Sequence, residues 1–231
     1  MAPPAECKIG LRLENVDKRY GAVYALRNLT LAIAPGECVA LAGRNGSGKT
    51  TLLRIASNLT RPTRGSLSFS GSRENQNPQA GFVAHATMVY DELTAEENLL
   101  FFAKLLGVTN RQKRVAELLS EVGLGERKDS LVRTFSRGMR QRVAIARALL
   151  AHPSLLLFDE PATGLDAEGT AWLVGRLRTL RDEGCTMMMS LHGESDVARL
   201  ATRAVRLEAG SVVADTRTGA AFQSVFSFTG G

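Results

Sequence analysis

The sequence predicts an α/β fold, with helices packed on a parallel sheet, an antiparallel β flank beside it and a helical insertion within it. Three observations carry that prediction. The runs Cys38–Ala42 and Leu155, Leu156, Leu157, Phe158 are apolar without interruption, as strands buried on both faces of a parallel sheet are. Helical periods alternate with such runs through the second half of the chain, the order of a layered α/β structure. Near the start, Ile9, Leu11 and Leu13 alternate with Arg12 and Glu14, which marks a strand with one buried face.

In chain order, that first strand is expected over residues 8–16. Leu29, Leu31 and Ile33 repeat its alternation, and Leu67 and Phe69 do so again between Gly65 and Gly71. These three form the antiparallel flank. Residues 72–79 are polar and hold Asn75, Asn77 and Pro78, which predicts a loop or tight hairpin. A short apolar strand over 80–84 then ends at His85. Thr94-Ala95-Glu96-Glu97 has the spacing of a capping box, opening a helix through Leu99, Phe102, Ala103 and Leu106 that Gly107 stops. Val115, Leu118, Leu119 and Val122 give a second helix, closed by Gly123. Phe101 beside Phe102 puts apolar surface on two faces of the first helix, so both are buried or one docks on a partner.

Ser136 can cap a helix predicted over 137–151, stopping before Pro153. The apolar run at 155–158 follows and delivers Asp159 and Glu160 to its C-terminal end, the edge where ligands sit in open α/β sheets. Asp166 caps a helix with Leu173, Leu177 and Leu180 inward, and residues 185–191 form another apolar strand ending at His192. A helix near 196–201 and a hairpin turning at Ala209-Gly210 complete the pattern, with residues 216–231 left unassigned.

At 231 residues and 44% hydrophobic composition, the chain can bury a full core. No run reaches the roughly 18–20 uninterrupted apolar residues of a membrane helix. Even residues 143–158 are broken by Arg147, His152 and Pro153. The first six residues lack the basic start and apolar centre of an export signal. Cys7, Cys38 and Cys185 are odd in number and far apart, which fits a reducing compartment and neither a disulfide framework nor a zinc site. The net charge of +6 admits an acidic partner, yet the basic residues are scattered among 23 acidic ones without interleaved aromatics, so no nucleic acid is expected.

Directly behind the first apolar run stands Gly43-Arg44-Asn45-Gly46-Ser47-Gly48-Lys49-Thr50, followed by Thr51 and a helical period. The spacing G-x-x-x-x-G-K-T between a buried strand and a helix is the phosphate-binding P-loop, or Walker A motif. Its glycines let successive N–H groups turn inward, and the helix N-terminus adds positive potential for a polyanion. Lys49 is expected to reach the outer phosphates, and Thr50 to join the coordination of Mg2+. Asp159 then holds a water on that ion, and Glu160 orients and polarises the attacking water as general base, a role typically worth ~10^2 to 10^4 in rate. Tyr20 is the aromatic expected against an adenine ring, with Tyr24 as a substitute and ordinary packing the alternative for either.

Together with Ser136-Arg137-Gly138-Met139-Arg140-Gln141, these motifs make the chain resemble the nucleotide-binding subunits of ABC transporters over about residues 8–215, with a helical subdomain near 90–150. The resemblance implies a P-loop NTPase with a RecA-like core and ATP and Mg2+ as cofactors. It implies a homodimer in the ATP-bound state, in which Ser136 and Gly138 of one copy meet the γ-phosphate held by Lys49 of the other. Residues 161–166 resemble the D-loop, placing Asp166 at the nucleotide site, and His192 matches the switch histidine. From the residues alone, His192 reads first as a satisfied polar group at a strand end, and the resemblance makes it a γ-phosphate sensor. Integral membrane permease subunits are the implied partners, at the cytoplasmic face of the bacterial inner membrane.

Two departures stand out. Phe135, Arg137 and Met139 replace the first, third and fifth residues of the family's Leu-Ser-Gly-Gly-Gln signature, and Arg137 adds a donor there. His85 stands where the family has its Q-loop glutamine, aligned through Gly81-Phe82-Val83 and Glu97-Asn98-Leu99. A histidine can still bond a metal-bound water or a partner loop, with a charge that depends on pH. The His85 segment and residues 135–142 also make the chain look like the ATP-binding subunit of the haem exporter in bacterial cytochrome c maturation. Exporter ATPases for multidrug or lipid cargo share much of this pattern. A soluble nucleic-acid-linked ATPase of the same superfamily has only the net charge in its favour.

Overall fold

The computed structural model describes residues 9–71, 80–191, 196–217 and 225. Its centre is a six-stranded sheet in the order β5-β6-β7-β3-β8-β9, made of β3 (Cys38–Ala42), β5 (Ala80–Val83), β6 (Leu155–Asp159), β7 (Thr186–Ser190), β8 (Arg203–Glu208) and β9 (Ser211–Arg217). All neighbours are parallel except β9, which turns back antiparallel on β8. A second, three-stranded antiparallel sheet has the order β2-β1-β4, from β1 (Gly10–Tyr20), β2 (Val23–Ile33) and β4 (Arg64–Ser70).

The alternation of side chains along the central strands divides the core in two. Val39, Leu41, Leu155, Leu157, Met188, Val205 and Leu207 pack with the antiparallel sheet and with helix α1 (Lys49–Ala56). Cys38, Ala40, Leu156, Phe158, Met187 and Met189 face the opposite way, onto α2 (Ala95–Leu105), α3 (Arg111–Glu121), α4 (Arg137–Leu149) and α5 (Ala167–Asp182). The strands are therefore buried on both sides, which is why they carry unbroken apolar runs.

The capping box opening α2 is present, with Glu97 N–H donating to Thr94 and Thr94 N–H donating to the Glu97 carboxylate. Gly107 and Gly123 close the two insertion helices with φ of 66° and 71°, where only glycine turns at little cost. β5 lies directly under α4. A Cβ on Gly81 would stand 2.4 Å from the Ala148 carbonyl oxygen, so this close approach requires glycine.

Three expectations are corrected. β1 runs on to Tyr20 because Asn15, at φ 48°, inserts a bulge that resets the face and buries Val16. α4 ends at Leu149, two residues early. The Arg114 guanidinium donates to the carbonyls of Leu149 and Leu150, and His152 turns the chain at φ 48° ahead of Pro153. The helix expected at 196–201 is a single 3-10 turn, Ala198–Leu200, because Thr202 N–H already donates to Cys38 O and draws the chain into the sheet. The expected loop at 72–79 and the tail beyond 217, apart from residue 225, lie outside the described residues.

Candidate active site

The C-terminal ends of β3, β6 and β7 converge on the N-terminus of α1, and four short contacts tie them together. Gly43 leaves β3 at φ 142° with no room for a side chain, since a Cβ there would stand 2.5 Å from both Leu207 O and Ser47 Oγ. The loop closes on itself around Lys49, whose ammonium donates to the carbonyls of Gly43 at 2.6 Å and Arg44 at 3.2 Å. Burial pushes the Lys49 pKa down, against the upward pull of the Glu160 and Asp159 charges. The first-turn N–H groups of α1, at Lys49, Thr50 and Thr51, have no helical carbonyl before them, as an anion site requires.

Asp159 ends β6 with only 2% of its surface exposed. Its carboxylate survives there because each oxygen has a donor. Thr50 Oγ1 donates to Oδ2 at 2.7 Å, and Ser190 Oγ donates to Oδ1 at 2.6 Å. Glu160, next in the chain, sits in the left-handed region at φ 57°, uncommon for a residue with a side chain. Its N–H donates to Ser190 O at 3.2 Å and Oγ at 3.1 Å, and its carboxylate accepts from Thr163 Oγ1 at 3.3 Å. His85 Nδ1 lies 3.3 Å from the same Glu160 oxygen, Oε2. Two adjacent carboxylates thus point to different neighbours.

The donor set suits a Mg2+ ion. A hydroxyl and a buried carboxylate 2.7 Å apart are hard oxygen ligands beside a phosphate cradle. Among the described residues no group of three or more His, Cys, Asp or Glu side chains forms a metal cage. An ion held partly by waters and phosphates does not need one.

Most of the remaining expected residues fall into two clefts, one of them on the phosphate loop itself. Arg44, Asn45, Gly46 and Ser47 line a cleft of about 320 Å3 with Arg206 and Glu208. Ser136, Gly138 and Asp166 line a separate cleft of about 610 Å3 with Arg137, Arg142 and Gly164, sharing no residue with the first. Ser136 caps α4 by accepting from Met139 N–H, and Asp166 caps α5 by accepting from Gly169 N–H at 2.7 Å. That backbone bond, with Arg142 beside it, holds the Asp166 carboxyl below its usual range. Tyr20 is half exposed at the end of β1, while the Tyr24 ring already has the guanidiniums of Arg19 and Arg27 over it, at 4.9 and 4.8 Å. His192 lies outside the described residues.

Sequence reading missed Ser190, Thr163 and Arg147. Ser190 had a signal, a polar residue directly after the apolar run at 187–189, opposite Asp159 in register. Arg147 had none. It reaches from α4 to the carbonyls of Phe82 and Met88, at either end of the segment carrying His85, and lies 5.1 Å from the Phe102 ring centre.

The chain is similar to known proteins in sequence and in fold. The family model described as ABC transporter matches residues 26–163. The Nod factor export ATP-binding protein I of Cupriavidus metallidurans is 37% identical over 212 residues, covering 89% of this chain and 70% of its own. The glutamine transport ATP-binding protein GlnQ of Escherichia coli is 35% identical over 216 residues, covering 89% and 90%. Among solved structures, a dimeric, post-hydrolysis ATP-binding cassette bound to ADP and Pi superposes with a TM-score of 0.83 at 31% identity, covering 90% of this chain and 99% of that one.

Proposed function

The chain belongs to the ABC transporter family, and from that premise we propose that it is a subunit that binds and hydrolyses ATP to drive separate membrane-spanning subunits. The observation that carries the reading is the arrangement of Lys49, Thr50, Asp159 and Glu160 around one phosphate loop. Lys49 and the α1 N-terminus bind the phosphates. Thr50 directly, and Asp159 through a water, would hold Mg2+, which when bound neutralises charge on the transferring phosphoryl group. Glu160 takes the proton of the attacking water, and Tyr20 stacks on the adenine.

Two copies are needed on this reading. Ser136 and Gly138 line a different cleft from the phosphate loop of their own chain, so they serve the loop of a partner copy. The dimeric state of the solved relative supports this. The membrane subunits dock in an apolar groove of about 570 Å3 lined by Leu59, Phe82, Met88, Tyr90, Phe102 and Leu106. Its wall leads along residues 82–85 to His85 and so to Glu160. No helix among the described residues is long and apolar enough to cross a membrane, which fits a peripheral subunit, placed by this reading on the cytoplasmic face of the bacterial inner membrane.

The finer reading, a subunit of the haem exporter of cytochrome c maturation, rests mainly on the His85 segment and residues 135–142. Relatives aligning over most of the chain are named for Nod factor export and glutamine transport, and multidrug or lipid export is the alternative. Co-purification from membranes, with the captured membrane subunits identified by mass spectrometry, tests which transport system the chain serves. For the ATPase itself, Glu160→Gln is expected to bind MgATP, accumulate as a dimer in size-exclusion chromatography and lose turnover at least about 100-fold. Unaltered turnover would remove Glu160 as the base.

A further inference from the structure

Ser190 is fully buried, at 0% exposure, at the end of a strand whose three central residues are methionines. Its register partner across the parallel pair is Asp159. Each lies two residues beyond a side chain, Met188 or Leu157, that faces α1, so both fall on the face that looks onto the phosphate loop. One hydroxyl there serves two purposes. It donates to Asp159 Oδ1 at 2.6 Å and accepts from Glu160 N–H at 3.1 Å, with the Ser190 carbonyl accepting the same N–H at 3.2 Å.

The geometry points to Ser190 as the positioning residue of the hydrolytic centre, the group that aims Asp159 at Thr50 and turns Glu160 away toward His85 and Thr163. This rests on the ATPase reading above. The other hydroxyl on Asp159, that of Thr50, has a second use in holding Mg2+. Ser190 is therefore the donor dedicated to the carboxylate. Without it, the buried Oδ1 has no described donor, and a carboxylate so placed rotates away from Thr50 toward another partner. The bond to Glu160 N–H matters separately, because it fixes the left-handed turn at φ 57° that sends two adjacent acids in different directions. Cross-strand contact alone does not provide this. Methionine, the residue type at 187–189, has no hydroxyl to offer.

The test compares the full chain with Ser190→Ala and Ser190→Thr by thermal melting with ATPγS, with and without Mg2+, and by ATPase rate against Mg2+ concentration. Ser190→Ala is expected to keep the melting shift given by Mg2+-free nucleotide and to lose most of the extra shift that Mg2+ adds. The Mg2+ needed for half-maximal rate is expected to rise at least about tenfold, with Ser190→Thr restoring it to within about threefold. A wild-type Mg2+ increment and Mg2+ dependence in Ser190→Ala would overturn the assignment. So would equal loss of the Mg2+-free shift, which would make the role merely structural. If Ser190→Ala does not fold, Ser190→Cys keeps the volume with a weaker donor and is expected to show the same selective loss in smaller measure. Absence of any Mg2+-dependent nucleotide shift in the unaltered protein would instead sink the ATPase reading itself.

Discussion

Thr50 Oγ1 donates to Asp159 Oδ2 at 2.7 Å, joining the first turn of α1 to the end of β6 across 109 residues of chain. The bond makes the phosphate loop and the carboxylate edge a single unit. Thr50→Ser keeps the hydroxyl and is expected to keep Mg2+-dependent ATPase activity. Thr50→Ala and Asp159→Asn are expected to lower it at least about 100-fold while nucleotide binding without Mg2+ persists. Calorimetric titration of ATP with and without Mg2+ reads both parts.

The contact of His85 Nδ1 with Glu160 Oε2 at 3.3 Å puts an imidazole against the proposed base. His85→Gln keeps a polar side chain at this contact and is expected to retain turnover to within about tenfold, whereas His85→Leu is expected to lower it at least about tenfold further. Equal rates for the two variants would show that a polar contact with Glu160 plays no part.

Gly81 holds β5 beneath α4, with space for no side chain at the Ala148 carbonyl. Gly81→Ala is expected to cost about 1–3 kcal/mol, the range for an added methyl in a packed interior. Urea unfolding should show a lower midpoint with little change in slope. Because β5 leads to His85, ATPase activity should fall as well.

Burial pushes the thiols of Cys38 and Cys185 up to about 12 from 9.0. Thiolate is the reactive form, so a rise of three units leaves about a thousandfold less of it at pH 8. Alkylation of both in the folded protein is expected to be at least that much slower than after unfolding in guanidinium, followed by mass spectrometry. Rapid labelling of either in the folded chain would contradict its place in the core.

Much of the architecture was legible because local rules and the final structure agree. The capping box at Thr94, the stop at Gly107 and the caps at Ser136 and Asp166 are short-range hydrogen-bond patterns, satisfied within three residues of where they are written. Boundaries failed where a distant group intervened. Arg114 took the last carbonyls of α4, and Cys38 O captured Thr202 before a helix could form.

The sequence by itself determined that a phosphate loop follows a buried strand, and that two acids end another, because glycine spacing and apolar runs are local properties of the chain. Only the tertiary structure decided that Ser190 holds Asp159, that Arg147 grips both ends of the His85 segment, and that Ser136 lies in a different cleft from Arg44 to Ser47. The hydrogen bonds among these join residues 31 to 65 positions apart, and no periodicity in a linear chain encodes which buried donor will meet which buried acceptor. Packing selects the pairs, because a charge or carbonyl left without a partner in the interior costs more than the fold can spare.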